Sequence, residues 1–422
     1  MIKAHRVIRS GLFVLSLVAA LALSPSAHGQ KISIMLYDAR IIDLDQAAID
    51  RFRADHPGVE VELIWSPSNY IETVLLLAST GEMPDVVTRD LGHRDAVGLD
   101  AAGYLLDLHP YVEAHREHFA EWYPGLLDAA YVGGRLPAIP RTALQSYVNW
   151  YNIDHFDRAG IPHPDGRWDW EEFRQIAKRL TRDENGDGVI DVFGYDKSWN
   201  YWQPFFRNAG VTPVNHEAKR TNIDSPEALQ AMLFLRSLRF EDRAMPTPAD
   251  NWGNNPQAFA AGKTSILLRP SLFAEQASGL NTGVALEPFA PGTSTRNTML
   301  TLQSFMISSQ SKHPDLAFEL ILYLTDETTT LEHLVETGTM VVYRSLNTEH
   351  FGHGVNVKGF RDVFQAALEQ PVFFAYSGVP AEPWELLDST VVRATENNDA
   401  PIESIVADAV PRINRLLAEQ MR

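Results

Sequence analysis

Residues 32–37 (ISIMLY), 43–56 (DLDQAAIDRFRADH) and 59–65 (VEVELIW) decide the fold of this chain. The first run is short and apolar, and the third alternates apolar with charged side chains, so each predicts a β-strand. The middle run repeats its apolar side chains at helical spacing. Pro57 and Gly58 end this helix before the second strand begins. This part of the chain therefore predicts a strand, a helix and a strand in close succession.

The same alternation continues along the chain. Residues 71–80 predict a second helix and residues 84–87 open a third strand, which completes a βαβαβ series of the kind that forms parallel sheets. Asp169 and Ser225 are suited to cap the starts of two later helices. Further helices are predicted over residues 225–240, 254–262, 314–325, 383–393 and 402–418, and a strand over 265–268. We expect an α/β fold.

The composition argues against several functional classes. The 422 residues include 54 acidic and 36 basic side chains, a formal net charge of −18, and no cysteine. An acidic chain without clustered Lys and Arg is poorly suited to nucleic acids or anionic membranes, so neither is expected as a partner. Without cysteine there is no disulfide, no thiolate nucleophile and no cysteine for lipid attachment.

Residues 1–29 differ in composition from the rest of the chain. Lys3, Arg6 and Arg9 form a basic start, residues 11–23 are almost wholly apolar, and small residues follow over 24–29. This order is typical of a secretory signal peptide, with cleavage predicted before Gln30. The alternative is an uncleaved anchor, although the apolar run is shorter than the ~20 residues that a membrane span requires. We expect an exported, soluble, periplasmic protein that is not a lipoprotein.

Seven short motifs follow one another in an order that is more informative than any one of them. They are FRADHPGV (52–59), GEMPDV (81–86), LLDL (105–108), YNIDHF with AGI (151–161), WDWE (168–171), AFAAGK (258–263) and the segment over 313–324. This series resembles the extracellular solute-binding proteins of ABC importers, the group that includes maltose-binding protein. One departure from that pattern is Arg167, which stands where threonine is usual in the family.

The resemblance implies two α/β lobes joined by three crossings, with a ligand enclosed between the lobes. The crossings are expected near residues 140–145, 298–303 and 340–344. The implied N-terminal lobe comprises residues 30–141 plus 302–342, and the C-terminal lobe comprises 142–301 plus 343–422. Such a protein is expected to be a monomer that closes on its ligand and presents the closed shape to the permease subunits of the importer.

The expected ligand is a mono- or oligosaccharide. Aromatic faces suit the C–H face of a sugar ring, planar polar groups suit its hydroxyls, and ligands of open α/β sheets bind at the carboxyl ends of strands. The densest such cluster, residues 199–203, is expected to be exposed in the cleft. From loop position and resemblance, the candidate ligand-binding residues are Tyr37, Asp38, Trp65, Asn69, Tyr70, Asp90, Arg141, Gln145, Tyr147, Trp199, Tyr201, Trp202, Trp252, Arg269, Gln303, Tyr343, Arg344 and Trp384.

Other functions stay open at this point. If Arg141, Arg269 and Arg344 converge on one pocket, an acidic ligand such as a uronate or a glycerol phosphate is favoured over a neutral sugar. A ligand-sensing partner of a membrane receptor would share all of these sequence features. No G-x-S-x-G, P-loop or H-E-x-x-H motif is present, so no enzyme is expected, although a secreted glycosidase would show no such motif either.

Residues 183–191 (DENGDGVID) match the first nine positions of an EF-hand loop. The calcium ligands would be Asp183, Asn185, Asp187, Asp191 and the backbone carbonyl of Val189. Position twelve is Gly194, so the bidentate carboxylate is missing. The two interpretations are a structural calcium site outside the cleft and an Asx-rich turn without a cation. No other cofactor is expected.

Overall fold

The computed structural model describes residues 29–36, 42–66, 69–91, 94–132, 134–197, 201–250, 255–274, 277, 279–294, 296–370, 372–374 and 379–421. The predicted signal peptide therefore lies almost wholly outside the described residues. None of the helices in the described ranges is long and apolar enough to cross a membrane.

The N-terminal part forms the parallel series that the sequence predicts. Its elements are β1 (Lys31–Leu36), α1 (Ile42–Asp55), β2 (Glu60–Trp65), α2 (Tyr70–Thr80), β3 (Val86–Leu91), α3 (Arg94–Ala101), α4 (His109–Ala114) and α5 (Pro124–Ala129). β1 pairs in parallel with both β2 and β3. The predicted α/β class and the βαβαβ order are thus confirmed.

The rest of the chain adds two further groups of elements. The first group is β4 (Ile139–Asn152), α6 (Ile153–Ala159), α7 (Trp170–Leu180), β5 (Phe193–Asp196), α8 (Trp202–Asn208), β6 (Val214–Asn215), β7 (Arg220–Thr221), α9 (Pro226–Phe240), α10 (Asn255–Ala260), β8 (Thr264–Pro270) and β9 (Thr282–Ala285). The second is β10 (Thr298–Ile307), α11 (Pro314–Leu324), α12 (Glu327–Thr337), β11 (Met340–Val341), α13 (Arg344–His350), α14 (Phe360–Leu368), β12 (Val372–Phe374), α15 (Ala381–Glu396) and α16 (Ile402–Gln420).

The predicted helix starts have the expected caps. The Asp169 carboxylate accepts the Glu172 backbone amide at 2.9 Å, and the Glu172 carboxylate accepts the Asp169 amide at 3.2 Å, which forms a capping box at the start of α7. Ser225 Oγ accepts the Ala228 amide at the start of α9, where Pro226 is the first residue.

One strand, β4, joins the two ends of the sheet. Strand pairing runs β2-β1-β3-β10-β4-β8-β5, with β9 and β11 also beside β4 and β12 beside β10. Residues 139–146 of β4 pair with β10, whereas residues 147–152 pair with β8 and β9. The three predicted crossings fall at β4, β10 and β11, which are neighbours in the sheet.

Two large hydrophobic cores lie on the sheet. The first contains β1, β3 and β10, and the second is built mainly from α7, α8, α9, α15 and α16. β4 contributes to both, because Val148 and Trp150 face the first core while Tyr151 faces the second. The predicted limits of the two lobes, which separate at residues 141 and 142, stay a prediction.

Close packing between β4 and β9 depends on a glycine. Gly283 lies opposite Tyr151 in the antiparallel pair, and a Cβ added at Gly283 would lie 2.3 Å from Tyr151 Cζ. The Tyr151 side chain is only 1% exposed, so it has no free space to move into.

We therefore expect Gly283→Ala to lower the free energy of unfolding by about 1–3 kcal/mol, the usual effect of overpacking a core. Urea denaturation measures the change. Gly279→Ala is the matched control, because a Cβ at Gly279 meets no atom within 4 Å. Equal stability of the two variants would contradict the packing argument.

Candidate functional site

The carboxyl ends of three parallel strands meet at one edge of the sheet. Trp65 is the last residue of β2, and its side chain is 47% exposed, an unusual exposure for an indole. Asp90 lies near the end of β3, at the same edge. Open α/β sheets bind ligands at this edge, so Trp65 and Asp90 stay candidates for a ligand site.

Buried polar side chains continue this edge onto the crossing strands. Gln303 of β10 lies opposite Asp90 of β3 on one side and Thr142 of β4 on the other. Gln303 is 1% exposed, Thr142 2% and Thr301 8%. Among the described residues, Gln303 Nε2, Thr142 Oγ1 and Thr301 Oγ1 have no hydrogen-bond partner. Because unpaired buried polar atoms are costly, these atoms favour bound hydroxyls or water beside them.

A second polar group lies at the ends of β5 and β8. Tyr147 is opposite Pro270, and Arg269 is opposite Val148. Burial lowers the pKa of Arg269, while Tyr147 and Asp196 nearby favour its charged form. Asp196, the last residue of β5, is 1% exposed, and burial raises the pKa of its carboxyl. Within the described ranges, Arg269 Nε and Asp196 Oδ2 have no hydrogen-bond partner.

Asn69 and Tyr70 lie at the start of α2. The Tyr70 hydroxyl donates to the Met35 carbonyl at 3.1 Å and accepts the Thr88 amide at 3.0 Å. It therefore connects β1 to β3 below the edge, and burial raises its pKa. Asn69 adopts left-handed backbone angles with φ of 51° and precedes α2.

The aromatic cluster at the start of α8 is buried, although the sequence favoured its exposure. The Tyr201 hydroxyl lies 2.7 Å from Thr395 Oγ1, and Trp202 Nε1 donates to Asp388 at 2.8 Å. Trp384 stacks on Trp202 with 5.9 Å between the ring centroids. Each of these three aromatic side chains is at most 4% exposed. Residues on α15 hold them because the C-terminal helices cover the second core, an arrangement that local sequence does not reveal.

The structure does not bring the three predicted arginines together. Arg141 is 2% exposed and makes an ion pair with Asp45 of α1. Arg344, at the start of α13, instead donates to Glu369 at 3.3 Å and lies over the Tyr123 ring. The neighbouring Tyr343 hydroxyl donates to the Thr325 carbonyl at 3.2 Å, which directs that side chain into the first core.

Several predicted site residues lie outside the described residues: Tyr37, Asp38, Trp199 and Trp252. Gln145 lies in β4, opposite Thr301 of β10. Sequence analysis did not select Thr142, Thr301, Asn149 or Asp196. The signal that identifies them is a polar residue inside an otherwise apolar strand, as in TLQSF over residues 301–305 and YVNWY over residues 147–151.

The loop over residues 183–191 binds its own backbone. Asp183 accepts the amides of Gly186 and Gly188, each at 2.7 Å, and Asp191 accepts the Glu184 amide at 2.8 Å. These amides lower the pKa of Asp183. Gly194, at position twelve, cannot be replaced by a carboxylate, because a Cβ there would lie 1.7 Å from the Ala177 carbonyl oxygen. In the described part of the chain, no group of three or more His, Cys, Asp or Glu side chains is arranged to hold a metal.

One buried acid lies behind the second polar group. Glu287 is 6% exposed, and burial raises its pKa to about 7, although Asn149 and Arg296 nearby favour the charged form. Arg296 donates to the backbone carbonyl of Glu287 at 3.0 Å. Asn149 is fully buried in β4, two residues from Tyr147. Burial therefore shifts the protonation equilibrium of Glu287 towards its neutral form.

Comparisons with known proteins agree on one family. The family model described as bacterial extracellular solute-binding protein matches residues 39–330. A binding protein of Brucella abortus is 24% identical over 336 residues, which cover 75% of this chain and 76% of the relative.

Solved structures show the same fold. The cyclic alpha-maltosyl-1,6-maltose binding protein of Arthrobacter globiformis has a TM-score of 0.76 at 17% identity, covering 92% of this chain and 99% of that one. A sugar transporter protein of Rhizobium etli, in an open conformation, has a TM-score of 0.72 at 19% identity, covering 92% and 99%.

The raised pKa of Glu287 predicts that the stability of the protein depends on pH. Its pKa rises from 4.5 unfolded to about 7 folded, so the folded state binds more protons between these values. The contribution of Glu287 to the free energy of unfolding therefore falls as the pH rises from 4.5 to about 7. Glu287→Gln removes the dependence, and we expect the variant to gain stability relative to the parent between pH 5 and pH 8. Urea denaturation at both pH values measures it.

The exposed Glu217→Gln variant is the control, with no expected change. An identical difference between parent and Glu287→Gln at pH 5 and pH 8 would show that Glu287 does not titrate in this range.

Proposed function

Because this chain belongs to the bacterial extracellular solute-binding protein family, we propose that it captures a mono- or oligosaccharide between two α/β lobes and delivers it to the permease of an ABC importer. The observation that carries the proposal is the edge formed by the exposed Trp65 indole and the buried, unpaired hydrogen-bonding atoms of Thr142, Thr301 and Gln303. An indole face and neutral hydrogen-bonding groups are the complement of a sugar ring and its hydroxyls.

The charges near this edge favour a neutral ligand. Arg141 is paired with Asp45, and Arg344 is paired with Glu369. Arg269 belongs to the second polar group, near the end of β8, and Asp196 lies close to it with a buried carboxyl. A uronate or a glycerol phosphate would meet this carboxyl together with Asp90. The Arthrobacter protein binds cyclic alpha-maltosyl-1,6-maltose and the Rhizobium protein is a sugar transporter protein, which supports the same ligand class.

The protein would act by binding alone, as a monomer outside the cytoplasm. Its family members are extracellular binding proteins, and no step here requires a cofactor. A ligand that contacts both ends of β4 stabilises the closed form by its greater affinity for that form. We place the mature chain in the periplasm after cleavage before Gln30, without a lipid anchor, since the sequence has no cysteine.

A sugar screen tests the proposal. Thermal unfolding is followed with neutral sugars from glucose to maltotetraose, with galacturonate and with glycerol 3-phosphate. A ligand at 100 times its dissociation constant should add about 2.7 kcal/mol and raise the Tm by about 2 °C or more. We expect a shift with a neutral sugar. A shift with the acidic ligands alone would replace the carbohydrate proposal, and an absence of any shift would contradict it.

Trp65→Ala identifies the site once a sugar is found. Loss of the indole face should weaken the binding of that sugar by about twofold to tenfold, if stacking on a sugar contributes about 0.5–1.5 kcal/mol, as is typical of an aromatic pair. Leu76→Ala, which also removes an exposed apolar side chain but on α2, is the matched control and should bind the sugar with unchanged affinity. Calorimetric titration measures both. Unchanged affinity of Trp65→Ala would move the site away from this edge.

The loop over residues 183–191 should hold its shape without calcium, since backbone amides already occupy its carboxylates. We expect the Tm to stay unchanged between excess EGTA and about 1 mM calcium, the upper end for extracellular calcium modules. A rise in Tm with calcium that Asp183→Asn abolishes would establish the alternative, a structural calcium site.

A further inference from the structure

A buried charged cluster lies where β4 leaves the first part of the sheet. It consists of Asp45 on α1, Arg141 on β4 and His333 on α12, and we call it the Arg141 cluster. Each side chain is at most 2% exposed. Arg141 Nη1 donates to Asp45 Oδ2 at 3.0 Å, while Nη2 contacts both Asp45 Oδ1 and His333 Nε2. The guanidinium carbon also lies 5.1 Å from the centre of the Phe305 ring on β10.

The protonation states determine which groups of this cluster donate hydrogen bonds and which accept them. Burial and the Arg141 charge lower the pKa of His333 to about 2, so its ring is neutral. A guanidinium can only donate, and His333 Nε2 is therefore the acceptor. Asp45 supplies the balancing negative charge through a bidentate contact, which the planar guanidinium of arginine can make and the ammonium of lysine cannot. One guanidinium thus connects four elements of the fold: α1, β4, β10 and α12.

The place of the cluster along the chain matters as much as its contacts. Arg141 precedes Thr142, whose backbone pairs with Val341, and Thr142 also lies opposite Gln303 in the candidate site. α12, which carries His333, runs directly into β11. Six residues after Arg141, β4 begins its pairing with β8. All three crossing strands are therefore held near one charged side chain.

We propose that Arg141 is a positioning residue, which fixes the direction of β4 and so sets the resting distance between the parts of the molecule on either side of Tyr147. It acts through Asp45 and His333 and does not contact the ligand. A buried ion pair stabilises a fold poorly compared with apolar packing, but it favours one geometry, because any movement that separates the pair leaves a buried charge uncompensated. The proposal rests on the proposed function only for its effect on sugar affinity.

The absence of cysteine from the sequence allows a direct test. Leu76→Cys on α2 and Leu233→Cys on α9 introduce two exposed labelling positions, on either side of β4. Single-molecule energy transfer between dyes at these sites measures the distance without any ligand. In Arg141→Lys, which keeps the charge and loses the fork, we expect the mean distance to shift and its distribution to broaden.

Arg239→Lys is the matched control. Arg239 is also buried, but it lies on α9 and donates to the carbonyls of Pro246 and Thr395, which belong to the far side of β4. This variant should lower the Tm while the distance stays that of the parent. If both variants lower the Tm and neither changes the distance, the Arg141 cluster only stabilises the fold and the proposal is overturned.

Asp45→Asn is a second variant of the Arg141 cluster, which keeps the size of the Asp45 side chain and removes its charge. It should shift the distance in the same direction as Arg141→Lys, and an unchanged distance in a folded Asp45→Asn protein would also overturn the proposal. If the screen finds a sugar, Arg141→Lys should change its affinity by about fivefold or more, the lower limit for coupled sites. Because the distance is measured without ligand, a failed sugar screen would contradict the proposed function but would not affect this test of the Arg141 cluster.

Discussion

The structure depends on the backbone pairing of one strand. β4 is 14 residues long, and it hydrogen-bonds with β10 and β11 through its first half and with β8 and β9 through its second. Because both faces of its second half are buried, Val148 and Trp150 pack into one core while Tyr147 and Tyr151 face the other side. The two regions of the sheet are therefore joined through this shared strand.

The candidate site follows from the same constraint. A strand inside two cores should carry apolar side chains, yet β4 and β10 place Thr142, Asn149, Thr301 and Gln303 in buried positions. Hydrogen-bonding groups in such places destabilise the empty protein and become favourable when hydroxyl groups pair with them. Under the proposed function, the unpaired atoms of the crossing strands would supply hydrogen bonds to the ligand, and the exposed Trp65 would supply an apolar surface beside them.

Sequence predicted the fold well because the fold depends on local signals. Strand alternation, the Pro57-Gly58 break and the Asp169 cap lie within a few residues of the elements that they define. The site was harder to predict, because the role of a polar or aromatic side chain depends on distant residues. Arg141 is paired by Asp45, 96 residues away, and Trp202 is held by Asp388, 186 residues away. Composition alone does not distinguish a binding arginine from a buried structural one.

The order of strands also has a kinetic consequence. β10, from Thr298 to Ile307, lies in the sheet between β3 and β4, which precede it by more than a hundred residues. The central pairings cannot form until this late segment is available, and the entropy of closing such long loops must be lost before any contact compensates for it. The late position of β10 in the chain is therefore expected to affect the folding rate more than the final stability. A chain with this topology stays open longest at its centre, where the native protein is most tightly paired.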